Sequence, residues 1–320
     1  MIQYLIIIVG LFLLEILYFR IANHFNIIDK PNERSSHTQI TLRGGGIIFY
    51  IGVLLYFIIS GFEYPYFFLG LTMITLVSFL DDIITLSNKI RLLVQLISML
   101  LMFYQVNMFG LPWWIIPIAL VVSIGIINAY NFMDGINGIT VSNSLAILVL
   151  LAIVNIDKHF IDPNIIYYTL ISSVVFGFFN FRNKAKAFAG DVGSVCMAFI
   201  LLFLLAELII KTNNIIYILF LLVYGLDTIL TIIRRILKKE NIFEAHRSHL
   251  YQFFANENKT NRLVISAIYG ILQLLVGFVI IYATNQSITF QWITALVLML
   301  IGTTIYLVLK QNLIKKHQIV

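Results

Sequence analysis

Long apolar runs alternate with short polar segments along the whole chain. The runs at 1–18, 47–59 and 145–154 are apolar on every side rather than at every second position. A strand of a membrane barrel alternates apolar and polar residues, whereas a spanning helix needs roughly 20 mostly apolar residues in succession. Helices also satisfy their own backbone groups in lipid. The pattern therefore predicts an all-α polytopic integral membrane protein.

The hydropathy profile predicts about eleven transmembrane helices. Turn-forming Gly, Pro and Asp residues separate most of them. The sequence contains no internal repeat and no low-complexity stretch, so we expect a single membrane-embedded domain over 1–320. The predicted spans are 1–22, 45–61, 65–80, 92–108, 112–128, 140–156, 163–181, 194–210, 214–234, 261–283 and 289–309.

Composition and charge add an orientation to this picture. Charged residues make up 11% of the chain, whereas a soluble domain carries about a quarter. With the N-terminus outside, 19 of the 21 Lys and Arg residues fall on one side, and only Lys158 and Lys211 on the other. Cytoplasmic loops carry such an excess, so the charged side is predicted to be cytoplasmic. The asymmetry accounts for the net charge of +6 without a nucleic-acid partner.

The polar clusters of the chain fall on the same predicted side as most of the Lys and Arg residues. The outward loops are short, and the candidate chemistry lies in loops predicted to be cytoplasmic. These clusters are 29–46, 81–91, 128–138, 182–194 and 234–262.

Asp81 and Asp82 end the third predicted span. Adjacent carboxylates repel one another and stay ionised most easily beside a cation. Oxygen ligands favour a hard ion such as Mg²⁺, which also binds phosphate. The alternative is a solvated helix end whose charge is balanced by Lys89 and Arg91.

Two glycine-rich segments carry further acidic and amide side chains. In NAYNFMDGING, Asn131 and Asp134 share a face if the segment is helical. In AFAGDVGSV, Asp191 lies between glycines at the start of a predicted span, where a helix N-terminus can bind a diphosphate. The alternatives are an Asn/Gly-rich turn for the first segment and an aspartate that complements the helix dipole for the second.

The segment EAHRSHLYQ places Arg247 between His246 and His249. The spacing lacks a zinc-site pattern and is more typical of an anion site. The alternative is a basic loop near anionic headgroups. Asp227, inside the ninth predicted span, is either functional or an ion-pair partner of Arg234.

In order, the motifs DKPNERSSH, GGG, DDIITLSNKIR, NAYNFMDGING, FAGDVGS and AHRSHLYQ resemble those of the polyprenyl-phosphate N-acetylhexosamine-1-phosphate transferase superfamily. The resemblance runs from Asp29 to Tyr251. It implies a bacterial inner-membrane enzyme, with a cytoplasmic active site, that transfers N-acetyl-sugar-1-phosphate from a UDP-N-acetyl-sugar to undecaprenyl phosphate and releases UMP. Mg²⁺ is the implied cofactor, with Mn²⁺ as the alternative ion. The expected partners are these two substrates, membrane lipid and a second copy of the chain in a homodimer, with no nucleic acid.

The resemblance also assigns roles to individual residues. Those implicated in catalysis are Asp81, Asp82, Asn131 and Asp134. Those implicated in metal binding are Asp191, Asp82 and Asp81. The expected substrate contacts are Lys89, Arg91, Asn128, His246, Arg247 and His249.

The sequence departs from this family pattern at three places. Ile40 and Leu42 stand where prolines are expected, and Ala189 stands where a bulkier apolar residue is usual. HRSHLYQ replaces a run of consecutive histidines. The last departure favours the branch that initiates O-antigen or capsule synthesis over the peptidoglycan branch.

An ion-coupled secondary transporter is the alternative from another functional class. It would use Asp227 and the acidic pairs, and it predicts carboxylates near mid-membrane and repeat symmetry. Most carboxylates instead lie at one predicted face, so the sequence favours the transferase.

Overall fold

The computed structural model describes residues 2–30, 40–241 and 247–318. Each of the predicted spans overlaps a helical segment. The longer helices are α1 (Ile2–His24), α2 (Ile47–Ile59), α3 (Pro65–Ile84), α4 (Asn88–Gln105), α5 (Ile115–Met133), α6 (Ile139–Lys158), α7 (Pro163–Asn180), α8 (Gly190–Thr212), α9 (Leu222–Leu237), α11 (Arg262–Thr284) and α12 (Ile288–His317).

Within the described ranges, eight helical segments are long and apolar enough to cross a membrane. The expectation of an all-α, multi-pass membrane protein is therefore confirmed. The exact number of crossings and their orientation stay predictions.

Helix α8 forms the centre of the bundle. It packs against α2, α3, α5 and α6, and 78% of its most apolar stretch is buried. Small residues permit close approach at its start, because a side chain on Gly46 would collide with the backbone of Gly193. At the periphery, only 11% of the corresponding stretch of α12 is buried, as expected for a helix that faces lipid.

A short two-stranded sheet lies where α2 and α8 begin. Strand β1 (Ile28–Asp29) pairs with the antiparallel strand β2 (Thr41–Leu42). The Phe188 N–H donates to the Leu42 carbonyl at 2.8 Å, and the Gly45 N–H donates to the Phe188 carbonyl at 2.9 Å. These bonds fix the glycine-rich segment after β2 against the segment that precedes α8.

Several helices extend beyond the predicted spans at one end. Helix α3 ends at Ile84, so Asp81 and Asp82 lie in its last turn. Helix α5 includes Asn128 and Asn131, and α8 already begins at Gly190. Hydropathy underestimates these lengths because the polar residues at the helix ends contact other protein segments rather than lipid.

The polypeptide around the ninth span is irregular. A 3₁₀-helix (Ile215–Leu221) precedes α9. Further along the chain, the short helix α10 (Leu250–Gln252) is followed directly by a π-helical turn (Phe253–Glu257).

Candidate active site

A cavity of about 260 Å³ lies between the end of α5 and the starts of α8 and α11. The glycine-containing segments around Gly135 and Gly190 line it. All of its lining residues belong to segments predicted to be cytoplasmic or to the adjoining helix ends. They are Asp29, Arg43, Asn131, Asp134, Gly135, Ile136, Asn137, Asn180, Phe188, Ala189, Gly190, Asp191, Gln252 and Arg262.

Arg43 joins two carboxylates at the wall of this cavity. Its Nε lies 2.6 Å from Asp82 Oδ1, and its Nη2 lies 3.2 Å from Asp191 Oδ1. Burial disfavours the guanidinium charge, but the two carboxylates more than offset this effect and raise the pKa of Arg43. The Tyr18 hydroxyl donates to the Arg43 carbonyl at 2.6 Å, which fixes the backbone from the side of α1.

Asp82 also anchors the start of α8. Its two carboxylate oxygens accept the backbone N–H groups of Asp191 and Val192 at 2.9 and 3.0 Å. Gly190 has a φ of +72°, and a side chain there would collide with the Asp82 carboxylate. A carboxylate from α3 thus satisfies the free N–H groups at the first turn of α8.

Arg91 makes the matching connection from α4. Its Nη1 lies 2.9 Å from Asp81 Oδ2, and its Nη2 lies 3.4 Å from Asp191 Oδ2. Asp81 also accepts the Leu86 N–H at 2.6 Å, at the turn between α3 and α4. The three carboxylates are therefore held together by two interleaved arginines.

Asn131 extends the cluster to α5. Its amide donates to Asp191 Oδ2 at 3.3 Å, and its carbonyl oxygen accepts the Ser194 hydroxyl at 2.9 Å. The structure thus brings Asp81, Asp82, Asp191 and Asn131 together in one network, while their roles in catalysis and metal binding stay predictions.

Asp134 follows α5 and lines the cavity. Burial raises the pKa of its carboxyl group to about 6, although the hydrogen bond from Thr140, at 2.7 Å, opposes the shift. The next residue, Gly135, packs so closely on Tyr251 that a side chain there would collide with the phenol. The Tyr251 hydroxyl donates to the Phe132 carbonyl at 3.0 Å, which joins α10 to the end of α5.

Asp227 anchors the start of α10. It lies 3.3 Å from His249 Nδ1 and accepts the Leu250 N–H at 3.0 Å and the Tyr269 hydroxyl at 2.7 Å. This arrangement excludes the Arg234 ion pair as an account of its environment, because the carboxylate points to α10 and α11. Asp227 is a buried anchor of the short helix.

His249 lies behind the cavity rather than on its wall, with 1% of its surface exposed. Its backbone N–H donates to Gln252 Oε1 at 3.2 Å, and Gln252 does line the cavity. Arg247 lies 3.9 Å from Glu257 in the π-helical turn. His246 lies outside the described residues.

Two expected substrate contacts lie away from the cavity. The Asn128 amide donates to Gln95 and to the Ile124 carbonyl within the α4–α5 contact, at 3.2 and 2.8 Å. Lys89 is exposed on the first turn of α4. Neither residue lines the cavity.

The cavity also contains residues that are absent from the predicted site, among them Arg43, Gln252 and Arg262. Two of them had a signal in the sequence, because Arg43 directly precedes the GGG motif and Gln252 ends the motif AHRSHLYQ. Arg262, the first residue of α11, belongs to no motif.

The donor chemistry suits a hard divalent cation. No group of three His, Cys, Asp or Glu side chains converges at metal-binding distance within the ranges that the structure describes. Mg²⁺ does not need one, because it commonly keeps several waters and binds one or two carboxylates together with substrate phosphates. Asp191 fits this role, since its side chain is 16% exposed to the cavity, whereas that of Asp82 is 0% exposed.

The chain is similar in sequence to one family of known proteins. The model of the glycosyl transferase family 4 matches residues 64–211, which span α3 to α8 and include all three clustered carboxylates. A probable undecaprenyl-phosphate N-acetylglucosaminyl 1-phosphate transferase of Bacillus subtilis (strain 168) is 28% identical over 81% of this chain and 77% of its own length.

Two further relatives differ in how much of the chain they match. An undecaprenyl-phosphate alpha-N-acetylglucosaminyl 1-phosphate transferase of Yersinia pestis is 24% identical over 90% of this chain and 85% of its own length. A phospho-N-acetylmuramoyl-pentapeptide-transferase of Streptococcus sanguinis (strain SK36) is 30% identical, but over 48% of this chain and 55% of its own length.

Proposed function

Because this chain belongs to glycosyl transferase family 4, among the polyprenyl-phosphate N-acetylhexosamine-1-phosphate transferases, we propose that it transfers an N-acetyl-sugar-1-phosphate from a UDP-sugar to undecaprenyl phosphate. UMP is the second product. The observation that carries the proposal is the cavity in which Asp134 and Asp191 face Arg43 and Asn131 at the end of a lipid-embedded bundle. A water-soluble nucleotide and a lipid phosphate can meet at such a boundary.

The proposed reaction is a substitution at phosphorus. An oxygen of the lipid phosphate forms a bond to the phosphorus that carries the sugar. The bond from that phosphorus to the oxygen bridging to the uridine phosphate breaks, and UMP leaves with the electron pair. Catalysis of such transfers depends mainly on positioning and on stabilisation of the phosphate charge.

Asp191 is the residue that would hold Mg²⁺, and Asp81, which shares Arg91 with it, would be a second carboxylate near the ion. When bound, the ion would supply positive charge that neutralises the diphosphate and the departing UMP. Asp82 has a different role in this proposal: it fixes the first turn of α8, and thereby the Asp191 backbone.

Asp134 is the cavity carboxylate best suited to accept a proton from the lipid phosphate. Its pKa of about 6 is close to neutral, where a general base is most effective. Thr140 occupies its Oδ1, so the proton would be held on Oδ2. Asn131 orients Asp191 through its amide group.

We infer the donor from the names of the relatives and the pathway from the sequence motif HRSHLYQ. The Bacillus subtilis and Yersinia pestis relatives are both named as N-acetylglucosaminyl 1-phosphate transferases, the former as a probable one, so UDP-N-acetylglucosamine is the first donor to test. The product would initiate a surface polysaccharide such as O-antigen or capsule. The active site would face the cytoplasm of the bacterial inner membrane, where nucleotide sugars are made.

The test is UMP release by the purified protein in detergent or nanodiscs, with undecaprenyl phosphate, Mg²⁺ and a panel of UDP-N-acetyl-sugars. We expect release that requires both the lipid and the metal, that stops on chelation and that resumes with excess Mg²⁺ or Mn²⁺. Asp191→Asn is the matched inactive control. A folded protein that releases no UMP with any donor of the panel would contradict the proposal.

No observation favours the secondary transporter. Asp227, which that function would use, is engaged by His249, Leu250 and Tyr269 and lines no described cavity.

A further inference from the structure

Arg262 is the first residue of α11 and lines the cavity together with Gln252 and Asn137. It is half-buried. The side chain of Asn261 accepts the Leu263 N–H at 2.9 Å and thereby defines the helix start. The guanidinium group is thus presented to the cavity from a fixed helix end rather than from a loop.

The guanidinium of Arg262 differs from the other two arginines of the site in having no partner. Arg43 and Arg91 each contact two carboxylates of the Asp81, Asp82 and Asp191 cluster. Over the residues that the structure describes, Arg262 makes no hydrogen bond, ion pair or ring contact. A half-buried charge without a counter-ion is unfavourable, so a ligand anion would stabilise it.

The cavity itself supplies no free carboxylate for Arg262. Asp191 is engaged by Arg43 and Arg91, and Asp134 accepts the Thr140 hydroxyl. Asp29 has an interaction partner of its own and lies close enough to Arg43 to raise its pKa.

The position of α11 relative to the acidic side of the cavity is set by direct contacts. The Ser266 hydroxyl, one turn after Arg262, donates to the Asn137 carbonyl at 2.8 Å. One turn further, Gly270 packs so closely on the backbone of Ser142 that a side chain there would collide with it. These contacts fix the first turns of α11 against residues 137–142, which follow Asp134 in the chain.

We propose that Arg262 binds a phosphate group of a substrate in this cavity. A guanidinium matches two phosphate oxygens at once, which gives both charge and orientation. The inference rests on the proposed function for the identity of the phosphate, which comes either from the nucleotide diphosphate or from the lipid phosphate. It does not require turnover, because UMP binding alone reports on the nucleotide source.

The experiment compares Arg262→Gln and Arg262→Lys with Arg182→Gln. Arg182 is an exposed arginine in a loop of the same predicted face, where it stacks on Phe178 outside the cavity, so its replacement removes the same charge. Dissociation constants for UMP are measured by calorimetry, and KM values for the UDP-sugar and for undecaprenyl phosphate are measured separately. Thermal unfolding confirms that all variants are folded.

If the nucleotide is the source, Arg262→Gln weakens UMP binding and raises the KM for the UDP-sugar by about 10- to 100-fold. If the lipid is the source, the same change appears in the KM for undecaprenyl phosphate alone. Arg262→Lys should fall between Arg262→Gln and the wild type, because lysine keeps the charge but loses the two-point contact. Constants for both substrates that match those of Arg182→Gln would overturn the inference. A different result would contradict the proposed transferase reaction: wild-type protein that binds UMP through Arg262 but produces no UMP from any UDP-sugar in the presence of undecaprenyl phosphate.

Discussion

Asp82 and Asp191 share the guanidinium of Arg43 but differ in their other contacts. The Asp82 side chain is fully buried, and both of its carboxylate oxygens accept backbone N–H groups of α8. Asp191 reaches the cavity and contacts Arg91 and Asn131. The first carboxylate therefore holds the site together, and the second is exposed to the ligand.

Asp191→Asn and Asp82→Asn should both remove activity, but with different effects on stability. For Asp191→Asn we expect turnover to fall by two to three orders of magnitude or more, roughly the range for loss of one electrostatic contact in a transition state. Its unfolding temperature should fall less than that of Asp82→Asn, because the Asp191 side chain is partly exposed in the cavity whereas that of Asp82 is fully buried. Asp82→Asn should also lower the free energy of unfolding by about 1–3 kcal/mol, because a buried partner of Arg43 loses its charge. UMP release and thermal unfolding distinguish the two effects. Robust activity in Asp191→Asn would remove the metal assignment.

Because of Asp134, we expect the free energy of unfolding to fall and the activity to rise as the pH increases towards 6. Its pKa is about 6 in the folded protein against an ordinary value of 3.8, so the folded state holds this proton over a window in which the unfolded chain has lost it. Stability from this group therefore falls as the pH rises from about 4 to about 6, by up to about 3 kcal/mol. Activity should rise through pH 6, because the proposed base must be ionised.

The matched variant for this prediction is Asp134→Asn. It should lose activity, and its unfolding free energy should change less between pH 5 and pH 7.5 than that of the wild type. The measurement is thermal or denaturant unfolding at both pH values without metal. An unchanged difference between the two pH values would show that another group titrates in this window.

Residue-level prediction from sequence succeeds where chemistry is local. Asp81 and Asp82 are adjacent, and Asn131 and Asp134 share a short motif, so both signals lie within a few residues. Arg43 and Arg262 are more than 200 residues apart, and each belongs to the cavity only because tertiary packing of α8 and α11 brings their segments there. Asn128 shows the converse. Its motif suggests a place in the site, but its amide donates a hydrogen bond to Gln95 and so joins α5 to α4.

At the level of elements, α10 is held by a buried polar network rather than by its own length. Asp227 accepts its first N–H groups, and Lys310 of α12 donates to the Ser248 carbonyl at 2.7 Å and to Thr231 at 3.2 Å. Ser248 lies two residues before Leu250, and Thr231 belongs to α9, so Lys310 joins the start of α10 to α9. A three-residue helix has little intrinsic stability, so these anchors determine where Gln252 meets the cavity.

Lys310→Met should therefore affect substrate binding from outside the cavity. We expect the KM for the UDP-sugar to rise by roughly fivefold with kcat changed less than twofold, since one intramolecular hydrogen bond contributes about 1 kcal/mol. Lys315→Met, on the exposed side of the same helix, is the matched control. Equal kinetics in the two variants would show that α12 does not position α10.

His249→Ala tests the same element from the other side. Because His249 is buried against Asp227 and its backbone holds Gln252, we expect weaker use of the UDP-sugar together with a lower unfolding temperature. A direct substrate contact would instead leave stability unchanged. Kinetics and unfolding measured on the same preparation separate these two roles.

Element positions follow from hydropathy, but their ends do not. Lipid selects apolar side chains along the middle of each span, which is why every predicted span overlaps a helix. The polar last turn of α3 and the polar first turn of α8 are instead stabilised by the hydrogen bond that the Asp191 N–H donates to Asp82. Contacts between residues that are more than 100 positions apart leave no periodic signal in the sequence.

At the scale of the whole molecule, the cavity and the positive charge should share one side of the membrane. The cavity is lined by loops that hold most of the basic residues, whereas the opposite loops contain only Lys158 and Lys211. If the excess of Lys and Arg sets the orientation, nucleotide sugars reach the cavity from the cytoplasm.

Cysteine labelling can test this orientation in intact cells. The one native cysteine, Cys196, is buried in α8, so it should react little with a membrane-impermeant maleimide. Lys184→Cys and Asp157→Cys place single reactive thiols at exposed positions in loops predicted to be cytoplasmic and external, respectively. We expect Asp157→Cys to be labelled in spheroplasts and Lys184→Cys only after the membrane is permeabilised. The reverse pattern would place the cavity outside the cell, where it could not draw on cytoplasmic UDP-sugars, and the proposed transferase role would have to be abandoned.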